Sequence, residues 1–503
     1  MLYFSGMNFL FNKSYFIMRR NIILLSLILL VIPSILFGQG FKQKAISKAL
    51  LLEDYDYMLK TLEDTHPNLY AYIPSKEFRK KTDELRKLID KSLTKTEFFK
   101  ILLRTIALVQ QDHTMVFGDA GFGAFLKSGG LAFPFKVKYD SDHIYINENY
   151  SSNTDITKGS ELIAINRVPV SKIIDDFTPY LRIRPNGFKG GTIEYNWMRY
   201  LWMEYGFDKE FTLSYILPGE DVIRTNTVEG VSIAHINQKK IKKNNEPFIF
   251  NIDKDKSIAV MKINTFQFDF DVFDAHLKKS FKSIKENKIE NLIIDMRDNG
   301  GGNANLVKTL VDYLSSKPYV EVAFSQVKSS KAAKKCYTTH PIFINAIEQA
   351  RKAEGESSSF AKLIDDFFKS KDGTVTSFSK EEIIPSKNKY RFSGQLYVLS
   401  SHQTFSAATG FCVTVKDNKL GYIVGEETLD NPTDYGCIML FPLPNTKINI
   451  QNSIQYTVRP AGYDDKHGVL PDFRIKESYS DFLNGTDKVM NYTYWLINEK
   501  IKL

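Results

Sequence analysis

The sequence predicts a mixed α/β protein, with a helical segment and a β-rich module ahead of a large unit of alternating strands and helices. Three observations predict it. Apolar residues recur at helical spacing up to about residue 110. Strict alternation takes over from about residue 130. From residue 257, short apolar runs alternate with amphipathic helices, the pattern of an α/β domain.

The chain has 503 residues, enough for roughly three domains at about 150 residues each. Hydrophobic residues make up 43% and charged residues 25%, which excludes collagen-like and wholly disordered classes. Lys+Arg 67 against Asp+Glu 58 leaves +9, too weak an excess for a nucleic-acid partner. The three cysteines, Cys336, Cys412 and Cys437, make neither a disulfide framework nor a CxxC zinc site. No HExxH stands in the chain, so neither a metal nor any other cofactor is expected.

Residues 1–38 read as a signal peptide. Arg19 and Arg20 precede an apolar run from Ile22 to Ile32, Pro33 and Ser34 break it, and Gly38 offers a cut. The run is short of the ~20 residues that span a bilayer. An exported protein, periplasmic or extracellular, is therefore expected. An uncleaved N-terminal anchor is the alternative, and it would be the only membrane attachment. Removing Lys13, Arg19 and Arg20 with the leader lowers the charge from +9 to +6.

Residues 39–125 are expected to form the helical domain. Leu51, Tyr55, Met58 and Leu62 make one stripe, and Phe78, Leu85 and Ile89 a second. Thr94 with Glu97 has capping-box spacing before a third helix, and the domain's end carries Gln111, Asp112, His113 and Thr114. In the module at 126–190, Phe135–Tyr139 and Ile144–Asn147 alternate like half-buried strands. Residues 158–174 then read as turn, strand, tight Asn166-Arg167 turn and helix start, which resembles part of a PDZ domain, a module that binds extended peptides by strand addition. Residues 191–503 form the α/β unit, and the Lys- and Ser-rich stretch 328–390 interrupts it as a surface insertion with one helix over 342–353. The basic run 239–243 reads as a solvated loop.

Four segments carry chemistry. Asp295 to Asn303 follows a buried strand and holds Gly300, Gly301 and Gly302. Backbone N–H groups there suit an oxyanion better than a phosphate, since no Gly-Lys-Ser/Thr follows. Ser400 to Gly410 places Ser406 between a strand and a helix, where it is either an exposed nucleophile or a helix N-cap. Asp112-His113-Thr114 offers an imidazole far away in sequence, and Tyr463 to Asp472 offers acids at a turn.

In this order, Gln-Asp-His-Thr, Leu292 to Gly302, the turn around Ser406, Val424-Gly425-Glu426 and Gly468 to Asp472 resemble the C-terminal processing, or tail-specific, serine peptidases, in their tricorn-core-like branch. The resemblance implies a crotonase-like catalytic domain and a secreted endopeptidase acting on polypeptides, recognised near their C-termini by the PDZ-like module. It implies Ser406 as nucleophile. Many members use a Lys where Asn431 stands, and residues 426–436 contain none. His113 matches the base of the tricorn-like branch, and Asp465 or Asp464 the acid that orients it. The N–H groups of Ala407 and of Gly300 or Gly301 match the oxyanion hole. Gly301 is favoured, because Pro often stands at the position of Gly300 and has no N–H to donate. His402 is a lower-ranked base, and His467 a third. The alternative function is a non-catalytic peptide- or lipid-binding protein of the same fold, as in the retinoid-binding relatives.

Overall fold

The computed structural model describes residues 41–499 apart from 119, 183–189, 242–245, 356–358, 380–381 and 465; the leader 1–38 lies outside the described residues. Residues 45–503 make up one unit.

The runs Leu292–Ile294 and Leu396–Leu399 are apolar at every position because both faces of their sheet are covered. Leu292, Ile294, Leu396 and Val398 pack against the helices Phe270–Glu286, Ala304–Asp312 and Ala407–Asp417. The intervening Ile293, Tyr397 and Leu399 face Val489, Leu496 and Ile497 of the helix Lys488–Asn498. Across this sheet the order is Phe473–Arg474, Tyr422–Gly425, Gln395–Ser400, Asn291–Asp295, Ile258–Ile263 and Phe248–Asp253. Pairing is parallel except at the last edge, where 248–253 runs antiparallel to 258–263. Parallel strands bring their carboxyl ends together, so the loops after Asp295 and after Ser400 share one end of the sheet, where ligands bind in open α/β sheets.

A second, antiparallel sheet joins distant parts of the chain. Its long strand Asn449–Val458 pairs with Asp434–Pro442 on one side. On the other it takes Met115–Phe117 and then Phe324–Lys328. Strand Val375–Ser379 adds to 324–328. Between those last two strands lie the helices Lys331–Thr339, Pro341–Glu354 and Ser359–Lys369. Ala333, Cys336, Tyr337, Phe343 and Phe367 from them are buried in the same core as Leu51, Tyr55 and Phe98 of the N-terminal helices. The stretch expected as a surface insertion with one helix thus contributes three helices, a strand and core side chains. Its Lys and Ser residues are compatible with this because the buried Ala333, Cys336 and Tyr337 recur along one face of the first of these helices.

A third sheet is antiparallel throughout: Phe135–Asp140, His143–Asn149, Glu161–Ile165, Glu210–Ile216 and Ile223–Glu229, with Val168–Pro169 on Glu161–Ile165. It continues past residue 190 to Glu229. The helices Val170–Phe177 and Gly190–Tyr205 bury Ile173, Phe177, Trp197 and Leu201 in the core it shares. Asn166 and Arg167 both have positive φ, 48° and 66°, the geometry of a primed hairpin turn in which glycine usually takes the second place. Asn166 Oδ1 accepts the Thr212 N–H at 2.8 Å, which fixes the turn to the next strand. In the N-terminal helices, the box between Thr94 and Glu97 is formed in both directions.

Candidate active site

Ser406 sits where strand Gln395–Ser400 gives way to helix Ala407–Asp417. Its backbone is at φ 54°, ψ −122°, a conformation costing a non-glycine residue about 1–3 kcal/mol. Its side chain caps nothing, so the N-cap alternative does not account for it and the hydroxyl is left for another role. The surroundings hold the strained turn. Asp430, buried, accepts the Ser406 N–H through Oδ2 at 2.9 Å and the Thr409 hydroxyl through Oδ1. Phe405 N–H donates to Asn299 O at 3.0 Å, Thr404 Oγ1 to Met296 O at 2.9 Å, and Ser401 Oγ to Arg297 O at 2.6 Å. The glycine loop and the serine turn are thereby stitched into one ledge.

His113 reaches this ledge from 293 residues away: its Nε2 lies 3.0 Å from Ser406 Oγ. The imidazole stacks on Phe405, with centroids 4.9 Å apart and planes inclined by 20°. Its backbone is held on three counts. Gln451 Nε2 donates to His113 O at 3.1 Å, and Arg182 Nη1 donates to Asp112 O at 2.6 Å and Thr114 O at 3.1 Å. Strand Met115–Phe117 then pairs with Asn449–Gln451. His113 Nδ1 is buried and has no hydrogen-bond partner among the described residues. Of the two acids expected to orient it, Asp464 is exposed and its Oδ1 accepts the Lys466 N–H of its own turn at 3.0 Å, while Asp465 lies outside the described residues.

The other imidazoles are engaged elsewhere. His402 Nδ1 is 2.9 Å from Glu426 Oε2, and His467 Nδ1 is 2.6 Å from Gly468 O. Glu426 is half-buried. Burial alone would raise its carboxyl, but the hydrogen bond and charge of His402, then Lys138 and Lys476, hold it below the usual range. Asn431, in the position of the family's lysine, is buried.

Facing Ser406 is the glycine loop. Gly301 has φ +90°, and a Cβ there would lie 2.7 Å from Ser406 Cβ and from Phe405 O. Only glycine allows that approach. The Gly301 N–H, favoured as an oxyanion donor, instead donates to Asn299 Oδ1 at 2.8 Å. Among the described residues the N–H groups of Gly300 and Ala407 have no acceptor. The preference between the two glycines is therefore reversed by a local side-chain bond that a motif cannot reveal. Arg297 anchors the start of the loop by bidentate pairs with Asp295 and Asp487, 2.7–2.9 Å. Among the described residues, no group of three His, Cys, Asp or Glu side chains is placed to hold a metal ion.

Two functional contributors have no signature in the sequence. Asp430 stands in a run of Thr, Asp and Asn residues with no pattern to single it out, and Arg182 acts on the backbone of the His113 loop.

The sequence profile of peptidase family S41 matches residues 257–475. No curated protein is similar in sequence. Among solved structures, mature CPAF complexed with lactacystin is 17% identical, covering 90% of this chain and 99% of that one with a TM-score of 0.64. Mature CPAF alone is 16% identical over 90% and 99%, with a TM-score of 0.62. At that identity the likeness is one of fold. Strand, glycine loop and serine turn all fall within residues 257–475, so the segment that carries the site is the one that matches peptidase family S41, a family of serine-type peptidases.

Proposed function

We propose that the protein is an exported serine endopeptidase that cleaves polypeptide chains through a Ser406 acyl-enzyme, with His113 as general base. The observation that carries this reading is the 3.0 Å separation of His113 Nε2 and Ser406 Oγ. It lies within the range for proton abstraction. His113 takes the hydroxyl proton as Oγ attacks the scissile carbonyl. The N–H groups of Ala407 and Gly300 receive the developing oxyanion, as preorganised donors at a helix N-terminus do. Protonated His113 then gives its proton to the leaving amine, and water, activated by the same imidazole, releases the acyl group. The stack on Phe405 and the backbone bonds from Arg182 and Gln451 hold the ring in place. Asp465 is the proposed partner of Nδ1, with Asp464 the lower-ranked choice. The antiparallel sheet over 135–229 is the proposed peptide-binding module, engaging substrates near their C-termini, and 1–38 the proposed signal segment.

A fluorophosphonate probe tests the centre. Labelling of the folded protein at Ser406, lost in Ser406→Ala and slowed in His113→Ala, is the expected result. Folded protein that neither labels nor cuts an unfolded polypeptide overturns it.

A further inference from the structure

Beside the ledge lies a cavity of about 480 Å³. Its floor is Arg297, Asp298 and Ser401–Gln403, so it begins two residues before Gly300 and three before Ser406. Strand Phe135–Asp140 and the turn after it close one wall, and residues 476–489 close the other. Its lining draws on both the antiparallel sheet and the parallel one, and Ser401–Gln403 lead from it into the serine turn.

The charges in it are unequal. Four carboxylates (Asp140, Asp298, Glu426 and Glu477) face three fixed cations (Lys138, Arg297 and Lys476) among the described lining residues. Arg297 is already held by Asp295 and Asp487, and Lys476 by Asp140 at 2.8 Å. Asp298 is in turn held by Lys262 at 2.5 Å and Glu426 by His402 at 2.9 Å, so that Lys138 and one acid make no salt bridge among the described residues. One acid is left over. Glu477 is half-buried and makes no hydrogen bond or ion pair among the described residues. Burial pushes its carboxyl up, against the opposing charges of Lys138 and Arg297 and with help from Asp487 and Glu426. Tyr139, Tyr145, Tyr479 and Phe482 line the same cavity, with Tyr145 and Tyr479 at 4.7 Å between centroids. Phe482 already receives the ammonium groups of Lys138 and Lys158, at 5.4 and 4.3 Å. A carboxylate and aromatic rings lining one cavity are complementary to a cationic side chain.

We propose that this cavity is a specificity subsite that takes a Lys or Arg side chain of the polypeptide substrate, with Glu477 as its counter-ion. This rests on the serine peptidase reading above. The substrate cation supplies the charge that burial denies Glu477, and its methylene stem lies along the aromatic wall.

Matched fluorogenic peptides that differ at one position, carrying Lys, Arg, Gln or Glu, are compared by kcat/KM, with the variable position walked along both sides of the cut. At one position Lys and Arg exceed Gln by about tenfold or more, the ratio falls toward one in Glu477→Gln, and Glu477→Lys turns the preference toward Glu. Equal rates at every position, a Lys preference untouched by Glu477→Gln, or a Glu preference abolished by Lys138→Met each overturn the proposal. If no peptide is cut at all, the peptidase reading fails separately. Binding of the same dye-labelled peptides to the Ser406→Ala protein then decides the subsite: tighter binding of Lys than Gln peptides, lost on adding Glu477→Gln, supports it, and equal binding sinks it.

Discussion

Asp430 holds Ser406 by the backbone rather than by the hydroxyl: its Oδ2 accepts the Ser406 N–H at 2.9 Å while Oδ1 accepts the Thr409 hydroxyl. One buried carboxylate therefore clamps both the strained residue and the first turn of the helix behind it. Asp430→Ala leaves the Ser406 N–H unmatched, at a cost of about 1–3 kcal/mol, while the Thr409 hydroxyl keeps Thr404 O at 3.2 Å as an acceptor. It is expected to lower stability by about that amount and to slow Ser406 labelling. Asp430→Asn keeps an acceptor for the N–H, and the Thr409 hydroxyl can turn to accept, so its loss is smaller. Denaturant titration beside labelling rates checks both, and equal effects of Ala and Asn contradict the clamp.

The dyad itself makes a non-additive prediction. Ser406→Ala and His113→Ala each reduce kcat by about 10⁴–10⁶-fold, and the double variant is no worse than the serine variant, because the two act as one unit. The folded fraction is unchanged. Additive losses in the double variant argue that the 3.0 Å contact is not used in the reaction.

Gly301→Ala tests the close approach. The added carbon meets Ser406 Cβ and Phe405 O at 2.7 Å, inside any tolerated contact, and φ +90° disfavours it further. Labelling is expected to fall by more than about 100-fold, through displacement of the serine turn by even a fraction of an ångström. A Cβ added at Gly300 would meet nothing within 4 Å, and Gly300→Ala retains its N–H, so that variant is far milder. Similar losses in both contradict the steric account.

His66 gives the fold a pH dependence separate from catalysis. It is 1% exposed, and burial, with help from the Lys328 charge, pushes its imidazole down to about 3. An unfolded histidine takes its proton near pH 6.5. Below that pH the unfolded chain binds a proton the folded one refuses, so stability falls as pH drops from about 6.5 toward 3, at about 1.4 kcal/mol per unit. Between pH 6.5 and 5 the cost is about 2 kcal/mol. In His66→Asn, which can still accept the Asn68 N–H that His66 Nδ1 receives at 3.1 Å, that part of the slope disappears. Parallel urea titrations at the two pH values give the difference, and equal slopes refute it.

Much of the centre was legible in the sequence, because each motif ties a residue type to a local backbone need. Ser406 lies at a strand-to-helix turn among small residues, and the glycines follow a strand buried on both faces. His113 could be paired with Ser406 only through the resemblance, since nothing in spacing links residues 293 apart. Asp430 was invisible because its value comes from one backbone N–H that only the fold brings near. The 328–390 stretch misled because composition counts its Lys and Ser, whereas packing depends on which face Ala333, Tyr337 and Phe367 occupy. Gly301 misled for the opposite reason: its N–H is donated to a neighbour two residues away, Asn299.

The pairing of Met115–Phe117 with Asn449–Gln451 has a consequence for when this protein acquires its activity. The strand that begins two residues after His113 is zipped to one about 335 residues later, and Gln451 and Asn452 grip His113 and Thr114 directly. A nascent chain that has passed Ser406 but not yet residue 452 owns a nucleophile without a seat for its base. On the proposed mechanism, catalytic competence therefore waits for residues 449–452, and a chain that stops short of them has the serine turn but nothing to seat His113.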